Sequence, residues 1–450
     1  MISVIARRVY IFIIGITLLG YAFFGRSFAY MGIGSFHVDV FIVAAAALVL
    51  FLNPGWARLF RLPHVWLLAS FMIWGFVRTV PYISVYGLDA LRDAVIWAYA
   101  IIAIATGYVI IRDNLYCVIC RWYIKWFRRF VLWSPIALGL YWLVGTDLPH
   151  LPWGPKGGVL FLNPKGGDRA VHLAGVLAFV LLVSPYLRKS KGLHFKDWIF
   201  WGAWLLAFIM VSISVRAAFV TVTIAVVILA FHVNPIRWGK VASLLLISLL
   251  LFALTGVELD VGHSRKVSFD QLLINMKSIF TNVEEFSGEN TKRWRIEWWG
   301  TIISYTVYGE YFWTGKGYGI NLADADGFQV TKDDSLRSPH NGHLTVLARS
   351  GVPGFFLWVS FQIVLATSLW VAYWRNRNKG YHLEAGILLW VFVYYIAAIV
   401  NATFDVYLEG PQGGIWFWNI IGLGLGILLG RIEKGNNICE CVNVARNVQA

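Results

Sequence analysis

The chain has 450 residues, of which 58% are hydrophobic and only 14% are charged, whereas about 25% of the residues of a soluble domain are charged. This composition excludes a soluble enzyme, a disordered protein and a disulfide scaffold. The apolar runs are continuous rather than alternating as in a β-barrel, so we expect an all-α integral membrane protein. In a membrane protein, the net charge of +14 first indicates which loops face the cytoplasm. It is not a sign of nucleic-acid binding, as it would be in a soluble protein.

Twelve apolar segments approach the roughly 20 residues that cross a bilayer as a helix. We therefore predict transmembrane helices 1–9 in residues 1–256, a large loop in residues 257–351, and helices 10–12 with a tail in residues 352–450. The predicted spans lie near residues 9–25, 37–53, 65–80, 93–111, 127–145, 171–187, 197–213, 217–233, 240–256, 352–374, 384–401 and 413–430.

Basic residues concentrate in alternate short connections, beginning with Arg7 and Arg8 before the first span. Because Lys and Arg are enriched in short cytoplasmic loops, we expect both termini in the cytoplasm and the large loop on the outer side. No internal repeat is visible in the sequence. A transporter built from inverted halves therefore gains no support.

The large loop is too long for a connection without structure of its own. Residues 268–280 and 291–308 both show helical periodicity. We predict two or more amphipathic helices that lie on the outer face of the membrane.

Three arginines on the outer side are candidates for binding an anion. Arg216 lies in a very short turn between two apolar spans, and Arg293 and Arg295 lie on a predicted amphipathic helix. A guanidinium matches two phosphate oxygens at once, so these residues predict a clamp for a diphosphate. The alternative is that they are interfacial arginines whose charges reach the lipid headgroups.

Other polar residues at predicted span ends are candidates for binding or orienting a substrate. Arg169 and His172 begin a span after a glycine-rich stretch, and Arg78 lies at the end of another. For these three residues, a structural role is the alternative. Asp405, near a later span end, is a candidate for orienting a base or binding a sugar hydroxyl.

The sequence Pro339-His340-Asn341 lies where the large loop re-enters the membrane. Histidine is the usual general base near neutral pH. His340 is therefore the candidate catalytic residue, and Asn341 is a possible orienting residue beside it. A packed or capping histidine is the alternative.

Metal-binding patterns are weak. Asp324-Ala-Asp326 has the form of a metal-binding D-x-D triplet, but such triplets are common in polar loops. His340 and His343 lack the usual i, i+4 spacing of a zinc pair and have no evident third ligand. We therefore expect neither a metal nor another cofactor.

Several short motifs occur together in this chain. They are Ser214-x-Arg216, Arg295-x-x-x-Trp299, Gly315-x-Gly317-x-Gly319, His340-Asn-x-x-Leu344 and Gly351-x-Pro-Gly354. In combination, and with the predicted topology, they resemble the O-antigen ligase and Wzy-type polymerase superfamily. The chain departs from that pattern at Arg349, where many members have an acid, and at Val215, which separates Ser214 from Arg216.

The resemblance implies a GT-C-like membrane glycosyltransferase in the bacterial inner membrane, with its active site facing the periplasm. Such an enzyme moves a glycan from undecaprenyl diphosphate onto a hydroxyl acceptor without a metal and with inversion. It also implies His340 as the base, Arg216 and Arg295 as diphosphate ligands, and Asp405 as a further site residue.

The acceptor distinguishes the alternatives within the superfamily. We expect an O-antigen ligase, whose partners are the lipid-linked O-antigen, lipid A–core oligosaccharide and membrane lipids, and not nucleic acid. A polymerase that extends a lipid-linked glycan, or an enzyme that glycosylates protein hydroxyls, is the first alternative. A transporter or flippase of an anionic lipid is a more distant one, because the basic residues gather at one membrane edge rather than deep within several spans.

Overall fold

A computed structural model describes residues 1–33, 36–151, 159–187, 197–235 and 287–434, with short pieces between residues 238 and 267. The predicted amphipathic segment 268–280 lies outside the described residues, as does nearly all of the predicted span 240–256.

The first half of the described chain is helical. Its helices are α1 (Ile2–Phe24), α2 (Arg26–Ala29), α3 (Val38–Leu52), α4 (Pro63–Tyr86), α5 (Leu88–Ala98), α6 (Ala100–Arg112), α7 (Tyr116–Val144), α8 (Gly166–Leu182), α9 (Ser184–Leu187), α10 (Asp197–Ser214) and α11 (Arg216–Ala230). Two 3-10 helices, Pro54–Arg61 and Gly145–Asp147, lie between them.

The second half adds three long helices and, before them, a loop subdomain that comprises the described residues 287–341. Its helices are α12 (Ser287–Val307), α13 (Leu322–Asp326), α14 (Gly342–Asn378), α15 (His382–Phe404) and α16 (Pro411–Lys434). The described strands form three short antiparallel pairs: Gly32–Ile33 with Phe36–His37, His150–Leu151 with Val159–Leu160, and Leu259–Asp260 with Lys266–Val267.

Five described helices are long and apolar enough to cross a membrane, and the number rises to 7 if each of two bent helix pairs is one span. This finding confirms the predicted all-α membrane class. The predicted number of twelve spans is not reached within the described part of the chain. The helix α12 confirms the predicted helical periodicity of residues 291–308.

One bent pair is α5 and α6, which meet at 40° where a single span near 93–111 is predicted. The helix α7 begins at Tyr116, well before the predicted span 127–145. It is 29 residues long because the basic residues that interrupt the apolar pattern before residue 130 continue the helix rather than end it.

The central packing joins α6 to α16, α8 to α15, and α14 to α4 and α15. Small residues allow the closest of these approaches. A Cβ atom added at Gly107 of α6 would lie 3.1 Å from the carbonyl oxygen of Gly422 in α16. The two backbones therefore meet almost directly, as in membrane helices that pack through small residues.

The loop subdomain packs against the first turns of α14. Trp298 and Ile302 of α12 are buried together with Leu322, Leu347 and Ala348. The helix α14 is kinked at Gly351, whose φ of 70° is readily adopted only by glycine. The kink separates the first turns of α14, which follow His340, from the rest of this helix.

Candidate active site

A short strap, residues 159–165, joins the end of α1 to the start of α8. The backbone N–H of Arg26 donates to the carbonyl of Asn163 at 2.9 Å, and the N–H of Asn163 donates to Phe24 at 3.2 Å. Gly25 allows this pairing because its φ is +69° and a Cβ atom there would lie 2.3 Å from the Asn163 oxygen. The pairing brings Arg26 and Lys165 to the same end of the bundle.

Lys165 forms a largely buried ion pair with the end of α15. Its Nζ lies 2.9 Å from Oδ2 of Asp405 and donates to the carbonyl of Val406 at 3.1 Å. The other carboxylate oxygen of Asp405 accepts the N–H of Val406 at 2.7 Å. Asp168, in the first turn of α8, is a second carboxylate at 3.9 Å from Lys165 Nζ.

His340 is held at the start of α14 by its neighbours. Asn341 caps the helix, because its Oδ1 accepts the N–H groups of His343 and Leu344, each at 3.1 Å. The indole of Trp299 donates to the carbonyl of Pro339 at 2.9 Å. The φ of His340 is +53°, an unusual conformation for a residue other than glycine. The cap and the Trp299 bond fix this backbone and so orient the imidazole.

Arg295 connects the loop subdomain to the end of α15. Its Nη1 donates to the carbonyl of Phe404 at 3.0 Å, while its Nε is buried and has no protein hydrogen-bond partner among the described residues. Burial lowers the pKa of Arg295, the neighbouring Asp405 raises it and the neighbouring Arg216 lowers it. Arg295 therefore lies within electrostatic range of both Asp405 and Arg216.

Arg216 is the first residue of α11, as the predicted short turn requires. Only Val215, with φ −139° and ψ 110°, separates α10 from α11. The extended residue breaks the helix, since a helical residue there would continue α10 into the next span.

The electrostatic surroundings favour a neutral imidazole at His340. Burial lowers the pKa of His340 to about 4, and Arg295, Lys165 and Arg26 lower it as well, while Asp405 opposes them. Burial alone would raise the pKa of Asp405, but Lys165 and the surrounding hydrogen bonds hold it below its usual value. At neutral pH the arrangement therefore presents an uncharged proton acceptor beside an ionised carboxylate.

The predicted residues His340, Arg295 and Asp405 thus lie within electrostatic range of one another, and Arg216 lies near Arg295. Asn341 is the helix cap. The structure does not bring Arg293 into this cluster. Its side chain is 81% exposed and pairs with Glu297 at 2.8 Å on the outer surface of α12.

The three remaining candidates make contacts within the protein away from His340. Arg78 donates to the carbonyl of Thr314 at 2.9 Å and so holds the loop subdomain. Arg169 is buried and donates to Oγ of Ser134 at 2.9 Å. His172 is buried and lies 2.6 Å from the hydroxyl of Tyr394. The contacts of Arg169 and His172 are those of helix packing.

The weak metal motifs also acquire structural contacts. One carboxylate oxygen of Asp326 accepts the indole N–H of Trp298 at 2.6 Å, and the other pairs with Lys316. His343 lies 3.0 Å from the indole nitrogen of Trp358. Among the described residues there is no group of three or more His, Cys, Asp or Glu side chains that could hold a metal ion.

Sequence reasoning did not select Lys165 and Arg26 as site residues. Both are basic residues at predicted outer span ends, and that position was the available signal. Their partners could not be read from the sequence, because the strap that aligns them is defined by the contact between Gly25 and Asn163.

Comparison with known families gives one match. Residues 201–359 match the family model described as O-antigen ligase, a stretch that contains Arg216, Arg295 and His340. Over these residues, the match confirms the predicted resemblance to the O-antigen ligase and Wzy superfamily. Members of this family are glycosyltransferase-like enzymes that act in general on lipid-linked glycans and lipid A–core. No curated protein matches the chain significantly.

Proposed function

Because this membrane protein carries an O-antigen ligase domain at residues 201–359, we propose that it is an O-antigen ligase of the bacterial inner membrane. It transfers a glycan en bloc from undecaprenyl diphosphate to a sugar hydroxyl of lipid A–core and forms lipopolysaccharide. The reaction is metal-independent and inverts the anomeric carbon. The observation that carries the proposal is that Arg295 and Asp405 act on His340 at one place, with Arg216 close enough to act on Arg295.

The arginines supply what the leaving group needs. A glycan on a lipid diphosphate departs readily once the charge on the diphosphate is neutralised. Arg295 and Arg216 are fixed on α12 and α11, so two elements present positive charge to one place. Cations held in advance where negative charge develops stabilise the transition state. In this chemistry they take the role that a divalent cation has in other glycosyl transfers.

His340 supplies the base. Its neutral imidazole takes the proton of the acceptor hydroxyl as that oxygen attacks the anomeric carbon. The bond from that carbon to the diphosphate oxygen breaks at the same time, and its electron pair leaves with undecaprenyl diphosphate. A single displacement of this kind inverts the configuration.

The proposed orientation follows the distribution of basic residues. Both termini lie in the cytoplasm, and the cluster faces the periplasm, where lipid-linked O-antigen and lipid A–core meet. The cluster forms where α1 ends and where α8, α11 and α14 begin. With a cytoplasmic N-terminus, these helix ends are all expected at the same face of the membrane.

An in vitro transfer assay tests the proposal. Purified protein is mixed with undecaprenyl-diphosphate glycan and lipid A–core, with excess EDTA and without ATP, and the joined lipopolysaccharide is measured. We expect product from the wild type and none from His340→Ala, with both proteins folded to the same extent.

The failure outcomes separate the alternatives. Longer glycan on the lipid carrier, with no joined lipopolysaccharide, would make the protein a polymerase. If neither product formed, but labelled lipid moved between leaflets of a proteoliposome, the protein would be a transporter.

A further inference from the structure

Two proton acceptors at the proposed site, His340 and Asp405, lie within electrostatic range of each other, and Lys165 forms an ion pair with Asp405. Asp405 Oδ2 is 2.9 Å from Nζ of Lys165, whereas no hydrogen bond joins His340 to Asp405 within the described part of the chain. The ion pair is well sheltered, since the two side chains are 14% and 16% exposed. The question is what Lys165 does for the reaction.

We propose that Lys165 is a positioning residue: it holds Asp405 as a fixed, ion-paired carboxylate, so that His340 accepts the proton of the acceptor hydroxyl. The inference rests on the proposed function and deepens it. Without Lys165, the negative charge of Asp405 would be free to bind the hydroxyl proton itself or to pair with a protonated His340.

Three features of the structure place the ammonium group for this role. Lys165 is the residue that precedes α8, and its backbone is set by the strap that pairs with Gly25. Its Nζ also donates to the carbonyl of Val406 at 3.1 Å, next to the carboxylate it neutralises. Gly167 leaves room for the pair, since a Cβ atom there would lie 2.9 Å from Oδ2 of Asp405.

The charged groups that act on His340 and on Lys165 belong to several elements of the fold. His340 is affected by Arg295 of α12, Asp405 after α15, Lys165 before α8 and Arg26 of α2. Lys165 is affected by Asp405, Asp168 of α8 and Arg26. Lys165 is thus the cation in direct contact with Asp405, while it also acts on His340.

These relations predict opposite effects from removing the two partners. Lys165→Met removes a cation that lowers the pKa of His340 and leaves Asp405 uncompensated, so the acidic limb of kcat/KM moves to higher pH by about one unit. Asp405→Asn removes the group that raises the pKa of His340, so the limb moves to lower pH. In the double variant the two shifts largely cancel.

The experiment compares pH profiles of kcat/KM for wild type, Lys165→Met, Lys165→Arg, Asp405→Asn and the double variant. Lys165→Arg preserves the ion pair and should restore the wild-type limb. Lys332→Met, a change at an exposed lysine of the loop subdomain, is the matched control. A merely structural role for Lys165 would lower activity at every pH without moving the limb.

A second measurement does not depend on turnover. Diethyl pyrocarbonate modifies neutral imidazole, and the reaction of His340 is obtained as the difference between each protein and its His340→Ala counterpart. The midpoint of this reaction should move to higher pH in Lys165→Met and to lower pH in Asp405→Asn. Because this readout needs no product, it separates a failure of this inference from a failure of the ligase proposal.

Equal midpoints in wild type and Lys165→Met would overturn the inference. An increase confined to the KM for the lipid-linked donor, with no shift of the acidic limb, would also overturn the inference. Lys165 would then bind the diphosphate directly.

Discussion

Two arginines in this molecule, one buried and one half-buried, lie in contrasting surroundings. Arg349 of α14 is 2% exposed and lies 2.9 Å from Oδ2 of Asp93, and it also donates to the carbonyls of Gly317 and Ile320 at 3.3 and 3.2 Å. Arg295 makes one hydrogen bond, to the carbonyl of Phe404, and its buried Nε has no hydrogen-bond partner in the described residues.

The difference separates a structural role from a binding role. Arg349 is neutralised and bonded within the protein, so it fastens the Gly315–Gly319 loop to α14 and α5. Arg295 keeps charge and hydrogen-bonding capacity for a ligand. Buried polar groups are normally satisfied, and Arg295 combines an unpartnered buried Nε among the described residues with a position where it acts on His340.

The largest expected effect is the loss of the base. His340→Ala should lower kcat by about 10²- to 10⁴-fold, the usual contribution of a general base. Binding of undecaprenyl diphosphate, measured by titration, should change little, because the arginines remain. A variant with normal turnover would remove His340 from the mechanism.

Replacing Arg349, which is paired within the protein, should destabilise the fold rather than impair the transfer reaction. Arg349→Met removes the cation nearest to Asp93, while Arg337 remains 3.2 Å from the same carboxylate. The cost is therefore below the roughly 3–5 kcal/mol of a buried charge left without any partner. We expect a lower thermal unfolding midpoint, and, for the fraction that remains folded, a donor affinity like that of the wild type. An unchanged unfolding midpoint with weakened donor binding would show that Arg349 has a binding role rather than a structural one.

Replacing Arg295 should have the opposite effect, with a loss of activity and little change in stability. Arg295→Ala is expected to weaken transfer by about 10²-fold, since one oriented donor at developing charge contributes about this much, with a small change in unfolding midpoint. Arg293→Ala, two residues away on the exposed side of α12, should lie within about threefold of wild type, because exposed ion pairs contribute little. Equal losses in both variants would show that α12 acts by general charge and not by the contact of Arg295.

The smallest expected effect concerns pH. The pKa of His340 is lowered to about 4, and a base acts when it is deprotonated. Wild-type kcat/KM should therefore be nearly constant from pH 8 down to pH 5 and fall below that, by about half near pH 4. A fall that begins near pH 6.5 would indicate an imidazole with an ordinary pKa and would contradict the surroundings described for His340.

The sequence was sufficient for the helical membrane class and for selecting part of the proposed site. Arg216, Arg295 and His340 could be selected because each stands at a turn or a loop edge and carries suitable chemistry. Lys165 and Arg169 show the limit. They are four residues apart at the start of one helix, yet Lys165 meets Asp405 while Arg169 meets Ser134. The neighbours that separate their roles are distant in the chain, so periodicity alone could not choose between them.

Arg293 and Arg295 show the same limit on a shorter scale. The pattern Arg-Trp-Arg predicts a basic amphipathic helix, but which arginine faces the protein depends on how α12 is rotated. That rotation is set by the burial of Trp298 and Ile302 against α14. It places Arg295 toward Phe404 and leaves Arg293 in the open.

The configuration of the newly formed glycosidic bond tests the central claim most directly. Donor glycan of known anomeric configuration is transferred by the purified enzyme, and the linkage to lipid A–core is determined by NMR coupling constants. One displacement with His340 as base predicts inversion in every product molecule. Retention would require a covalent glycosyl intermediate on a nucleophile such as Asp405, and would contradict both the single displacement and the role of Lys165 in holding that carboxylate.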